Sequence, residues 1–278
     1  MPDFDEYGAY ESLALDADEH HRWAFGTGFA DPLAGVDTTI PQDVDPAALA
    51  ATCLALADDA LVYSHRLQQW VTRAPELEEE TALANIALDL LGQARMLLTR
   101  AAQAEDNDRD EDKLAFFRDE REFRNVRLVE RADADFAELT ARLLIFSAWR
   151  LALLAALTAD KDPVLAAIAA KAVKELAYHR EYAAGWVIRL GDGTDLSHAK
   201  MQAALDAVWP LVGELDLSQE AAAVLDNVFA AATLTSPAVA RIGPVSGKTG
   251  RDGTHTEAMG YILAELQSVA RANPDATW

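Results

Sequence analysis

Two stretches of this chain carry residues that can do chemistry at helical spacing. In 82–96 (ALANIALDLLGQARM) the polar residues Asn85, Asp89 and Gln93 recur every fourth position, and in 171–186 (KAVKELAYHREYAAGW) Lys171, Glu175 and His179 do the same. At 100° per residue, that spacing sets each trio along one narrow stripe of a helix whose other faces are largely apolar. A third stretch adds Asp58 and His65, on one face with Leu54 and Leu61. Carboxylates, an amide and imidazoles facing one another inside a helical bundle are the raw material of a metal centre. In each half an acid is followed by Leu and, four positions after the acid, by Gln or His, as in a duplicated four-helix bundle with a central site.

A di-iron carboxylate bundle needs a Glu from each of two helices and a Glu-x-x-His from each of two others, because i and i+3 place both ligands on one face. No Glu-x-x-His occurs here. Asp-x-x-His occurs at Asp18/His21, Asp195/His198 and Asp252/His255, none of them inside a bundle helix. Three residues before His179 stands Leu176, and before Gln93 stands Leu90; three after Asp89 comes Gly92, and after Glu175 comes Tyr178. None of these is a useful iron ligand. We therefore read Asp58, His65, Asn85, Asp89, Gln93, Glu175 and His179 as a degenerate di-metal pocket with a structural role, containing no catalytic residue and no metal ligand. The alternative is an autonomous di-metal oxygenase or oxidase that uses Asp58, His65, Asp89, Glu175 and His179 in an atypical ligand set.

The remaining motifs read plainly. Glu138 and Arg142, four apart, are expected to pair with each other. A single cysteine, Cys53, allows no internal disulfide and reads as a small buried hydrophobe. GPVSGKT at 243–249 has one residue too few for a Walker loop and follows no strand, so it reads as a turn-rich loop. Lys248 and Arg251 are the cations there that can meet an anionic ligand or partner.

The elements that must position these residues are all helical. Asp45 caps a helix with Pro46 in its first turn, and Pro75 breaks the run. Further helices are expected over 76–104, 114–123, 136–158, from Asp162-Pro163 to Gly191, over 196–215 with a kink at Pro210, 218–234 and 257–270. No strand-like alternation appears. The fold class is all-α: a four-helix bundle with additional C-terminal helices, forming one domain over 46–278. Residues 1–45 read as an acidic, partly irregular arm with a short helix around 10–23. On the first bundle helix Leu56, Tyr63, Leu67 and Trp70 line the face opposite Asp58 and His65. A bundle covering one face would leave that stripe wet, so it is the expected partner interface.

With 278 residues and 51% hydrophobic residues the chain can fill a sizeable core. A net charge of −22 argues against nucleic acid as a partner. No uninterrupted apolar run reaches the roughly 18–20 residues of a bilayer span, and the acidic start lacks the basic region of a secretory signal. No membrane association is expected, and the cytoplasm is the expected compartment.

Four longer segments carry a family resemblance: APELEEETALANIALDLLGQAR (74–95), LAFFRDEREFRN (114–125), KAVKELAYHREYAAGWVIRLGDGTDLSHAKMQ (171–202) and HTEAMGYILAELQ (255–267). Together they resemble the C-subunit family of the bacterial phenylacetyl-CoA ring epoxidases (PaaC), over roughly 58–278 and excluding the arm. The resemblance implies a ferritin-like helical protein that has lost its di-iron ligands and serves as a non-catalytic structural subunit in aerobic phenylacetate catabolism. It further implies no cofactor in this chain and a hetero-oligomer with a homologous catalytic A subunit that keeps the di-iron centre. A small B subunit and a reductase complete the implied complex.

Overall fold

The computed structural model describes residues 33–276. The chain divides into two compact units, Met1–Gly35 and Val36–Trp278, and the helix expected around 10–23 lies outside the described residues. Four long helices form the body of the second unit: α1 Pro46–Gln68, α2 Leu77–Glu105, α4 Phe136–Leu157 and α5 Pro163–Gly191. A short α3, Glu111–Phe116, follows α2. After the bundle come α6 Asp195–Val208, α7 Gln219–Ala231, α8 Glu257–Leu266 and α9 Ser268–Ala272. The architecture is an all-α, ferritin-like bundle with extra C-terminal helices.

Local chemistry starts these helices where the sequence signals it. Asp45 accepts from the Ala47 N–H ahead of Pro46, Asp162 from the Leu165 N–H ahead of Pro163, and Thr194 from the Ser197 N–H. α1 packs along α2 and α4 along α5 as two helical hairpins, and α2 meets α5. Ser64 of α1 donates to the Ala87 carbonyl of α2 at 2.7 Å, across the first hairpin. α6 and α7 lean on the second hairpin. There Gly191 lies so close to Ala232 that a Cβ would stand 2.4 Å from its carbonyl oxygen. α1 and α4 are long and apolar enough to cross a membrane, yet most of each is buried within this chain, as expected of core helices.

Three helices depart from the sequence expectation, each for a local reason. The helix expected over 114–123 runs instead over Glu111–Phe116, followed by a 3-10 turn at Glu120–Glu122. Asp110 caps the earlier start by accepting from the Lys113 N–H, and the Arg118 side chain turns inward to Asp58, leading the backbone off the helical path. α6 ends at Val208 and tightens into a 3-10 helix, Trp209–Glu214, because Pro210 has no N–H to continue the ladder. The last helix is broken at Gln267, whose amide donates to the carbonyls of Ala115 and Arg118 at 3.3 and 3.0 Å.

Both faces of α1 are covered, contrary to the sequence reading of one wet face. Leu56, Tyr63, Leu67 and Trp70, expected to be left wet for a partner, are buried within the chain, with Tyr63 and Leu67 0% exposed. Tyr63 meets Phe146 of α4 edge-on at 4.5 Å, and Trp70 packs 6.5 Å from Phe136, which in turn meets Trp186 of α5. The stripe with Asp58 and His65 instead faces the 117–130 segment and α8. A second layer of chain covers the face that a bare four-helix bundle would expose.

Candidate functional site

The polar stripes of α2 and α5 do face each other. His179, fully buried, places Nε2 3.0 Å from Asp89 Oδ2. One turn away, Gln93 donates from Nε2 to Glu175 Oε2 at 2.9 Å, while Lys171 pairs with the other oxygen of Glu175. The i+4 spacing thus produces cross-helix pairs in register, where the sequence had placed a shared pocket.

The other expected members are elsewhere. Asn85 is exposed on α2. Asp58 is fully buried and ion-paired with Arg118 from the α3–α4 connection, and it also accepts from the Arg124 N–H at 2.8 Å. His65 lies toward the surface, 3.2 Å from Glu265. The atypical ligand set of an autonomous di-metal enzyme is therefore not assembled, because Asp58 and His65 are turned to partners on the second layer.

What fills the bundle centre was missed by sequence reasoning. Arg150 of α4 is fully buried, donates from Nε to Gln93 Oε1 at 3.2 Å, and places Nη1 3.8 Å from Asp59 Oδ2. Asp59, next to Asp58 but about 100° round α1, also accepts from Arg251 at 2.7 Å and from the Val126 N–H at 2.9 Å. Burial pushes the Asp59 carboxyl upward, against the pull of Arg251 and Arg150. Burial also pulls the Arg150 guanidinium down to about 10, which leaves it charged at neutral pH. A lone arginine within the apolar run Leu143–Leu154 was the available signal.

The same device recurs through the chain. Five carboxylates are buried among the described residues: Asp58, Asp59, Glu130, Asp133 and Asp162. Each is paired with a cationic or imidazole side chain, namely Arg118, Arg251, His255, Arg142 and Arg100 respectively. The Glu138–Arg142 pair expected from i,i+4 spacing does not form: Glu138 pairs with Arg131 at 2.8 Å, and Arg142 turns inward to Asp133. Among the described residues, no three His, Cys, Asp or Glu side chains converge as a metal site requires. Cys53 is buried, and burial pushes its thiol up to about 12, so it is no nucleophile at neutral pH. The 243–249 segment is an exposed loop with a tight turn. Ser246 and Gly247 both take left-handed backbone angles between Val245 and Lys248. Arg251 is committed to Asp59.

Comparison with known proteins agrees with this architecture. The family model described as phenylacetic acid catabolic protein matches residues 35–227 and 215–278. The C subunit of the 1,2-phenylacetyl-CoA epoxidase of Escherichia coli (strain K12) is 44% identical over 252 residues, covering 83% of this chain and 99% of that protein. This chain belongs to the phenylacetic acid catabolic protein family.

Proposed function

We propose that this chain is the non-catalytic, structural C subunit of a multicomponent phenylacetyl-CoA epoxidase. The di-iron centre and the chemistry belong to a homologous A subunit. A small B subunit and a reductase complete the assembly, which works in the cytoplasm in aerobic phenylacetate breakdown. The chain holds no cofactor of its own. The observation that carries the reading is the pairing of every buried carboxylate among the described residues with a side-chain partner rather than with other carboxylates around a shared point. The near full-length similarity to a protein named as the C subunit of such an epoxidase supports it.

The α1 stripe is core, so partner contact falls to other surfaces. Among the long helices, the large apolar side chains left most exposed are Leu77 and Leu88 of α2 and Tyr178 of α5. Elemental analysis of the separately purified chain from iron-replete medium tests the reading directly. No stoichiometric iron is expected, and about two irons per chain, the content of a di-iron site, would defeat it. In the reconstituted complex, Asp89→Asn and His179→Gln should leave epoxidation nearly intact. A loss of several powers of ten with assembly unchanged would instead make that pair part of the chemistry.

A further inference from the structure

The geometry around Arg150 goes beyond the absence of a ligand motif. Arg150 sits on α4, the most apolar of the four long helices. Its guanidinium meets one residue from each of two other helices directly and the third through Gln93. Asp59 of α1 lies 3.8 Å from Nη1, and Gln93 of α2 accepts from Nε at 3.2 Å. Glu175 of α5 is joined through the same Gln93 amide at 2.9 Å. That amide is oriented by its neighbours, oxygen toward the cation and nitrogen toward the carboxylate. Metal-binding bundles of this architecture use the same place, between inward-facing carboxylates of the four helices, to hold their ions.

The residues present do not fit a metal. Asp59 and Glu175 supply two negative charges, and Arg150, Arg251 and Lys171 supply three positive ones around them. The centre therefore has no surplus negative charge to draw in a divalent cation. Nη1 and Nη2 of Arg150 have no hydrogen-bond acceptor among the described residues. Hydrogen bonding by those two nitrogens therefore does not account for a full-length arginine here; its charge and its reach to Asp59 and to the Gln93 amide that holds Glu175 do.

We propose that Arg150 is a resident cation, taking the position that a metal ion would hold at the bundle centre and closing it to metal by both charge and volume. Removing that cation and supplying a ligand in its place should open a divalent-cation site built from residue 150, Asp59, Glu175 and the Gln93 amide oxygen. The inference rests on reading the wild-type chain as metal-free.

The test compares wild type, Arg150→Lys, Arg150→Glu and Arg150→His, each incubated with Mn²⁺, desalted and assayed for bound metal and thermal midpoint. Glu is shorter than Arg and leaves room for an ion. His supplies a neutral ligand, so a fold lost to charge reversal alone is recognised. Wild type and Arg150→Lys should retain no stoichiometric Mn²⁺ and melt the same with or without it. Arg150→Glu or Arg150→His should retain about one Mn²⁺ per chain and gain about 5 °C at saturating Mn²⁺. If neither variant takes up Mn²⁺, whether or not it folds, the resident-cation inference is overturned while the metal-free reading stands. If the wild-type chain purifies with two irons, both fall.

Discussion

The bundle centre and the seam beneath α8 solve one problem with different cations. At the centre, Asp59 is buried between the guanidinium groups of Arg150 and Arg251, a side-chain type that carries its charge at neutral pH. At the seam, Glu130 accepts from Asn125 Nδ2 at 2.9 Å, from the Thr256 N–H at 2.7 Å and from the Thr256 hydroxyl at 2.6 Å. His255 faces Glu130 through Nδ1 at 2.7 Å and the Phe123 carbonyl through Nε2 at 3.1 Å. A carbonyl only accepts, and so does an ionised carboxylate, so this geometry suits an imidazolium that donates from both ring nitrogens. Burial opposes that charge, but the hydrogen bond and charge of Glu130 outweigh it and raise the His255 pKa above its ordinary 6.5. The pairing logic is shared, and at the seam the cation is an imidazole, the side chain whose charge changes near neutral pH.

That contrast can be broken from several directions. The largest effect belongs to a buried pair with a permanent charge. Arg118→Met leaves Asp58 without its ion-pair partner at 0% exposure, and should cost about 3–5 kcal/mol in denaturant unfolding. A cost under about 1 kcal/mol would mean that the Asp58–Arg118 pair does not hold this part of the fold.

His255→Gln should come next, at about 2 kcal/mol in mildly acidic buffer, because it removes a charge-assisted bond to Glu130. Its signature is in the pH profile. The folded-state pKa is raised, so the contribution is full below the unfolded value near 6.5 and is lost as pH rises through the folded value. Wild type should therefore lose stability across that window, and the variant should lose its share of the slope. Equal slopes would place the proton elsewhere.

The smallest effects should come from the stripe residues that left the pocket. His65 pairs with Glu265, whose side chain is 61% exposed, and Asn85 is exposed. His65→Gln and Asn85→Ala should each stay within about 1 kcal/mol of wild type. A larger loss for Asn85→Ala would return it to a buried network.

Much of this was legible in the chain itself. Helix starts follow from Asp-Pro chemistry that acts within one turn, so Asp45 and Asp162 cap where local sequence says they do. The polar stripes that carry Asp89 and Gln93 on α2, and Glu175 and His179 on α5, follow from helical period; their division into Gln93–Glu175 and Asp89–His179 pairs, in place of a shared pocket, does not. The four long helices, the all-α class and the family segments needed nothing further.

Tertiary structure decided which face of α1 points inward. Both stripes of that helix carry apolar residues, so periodicity is symmetric between them. Only the 117–130 segment and α8, folded across one side, made the Asp58 stripe a second interface and the Tyr63 stripe the core. It also decided the partners of the buried charges. Arg142 lies four residues from Glu138 yet reaches Asp133, Arg251 meets Asp59 from 192 positions away, and Arg150 reaches the bundle centre. A long guanidinium side chain can reach several carboxylates. Burial selects among them by leaving unpaired charge most costly where water is excluded, and that selection is a property of the packed chain rather than of any local stretch.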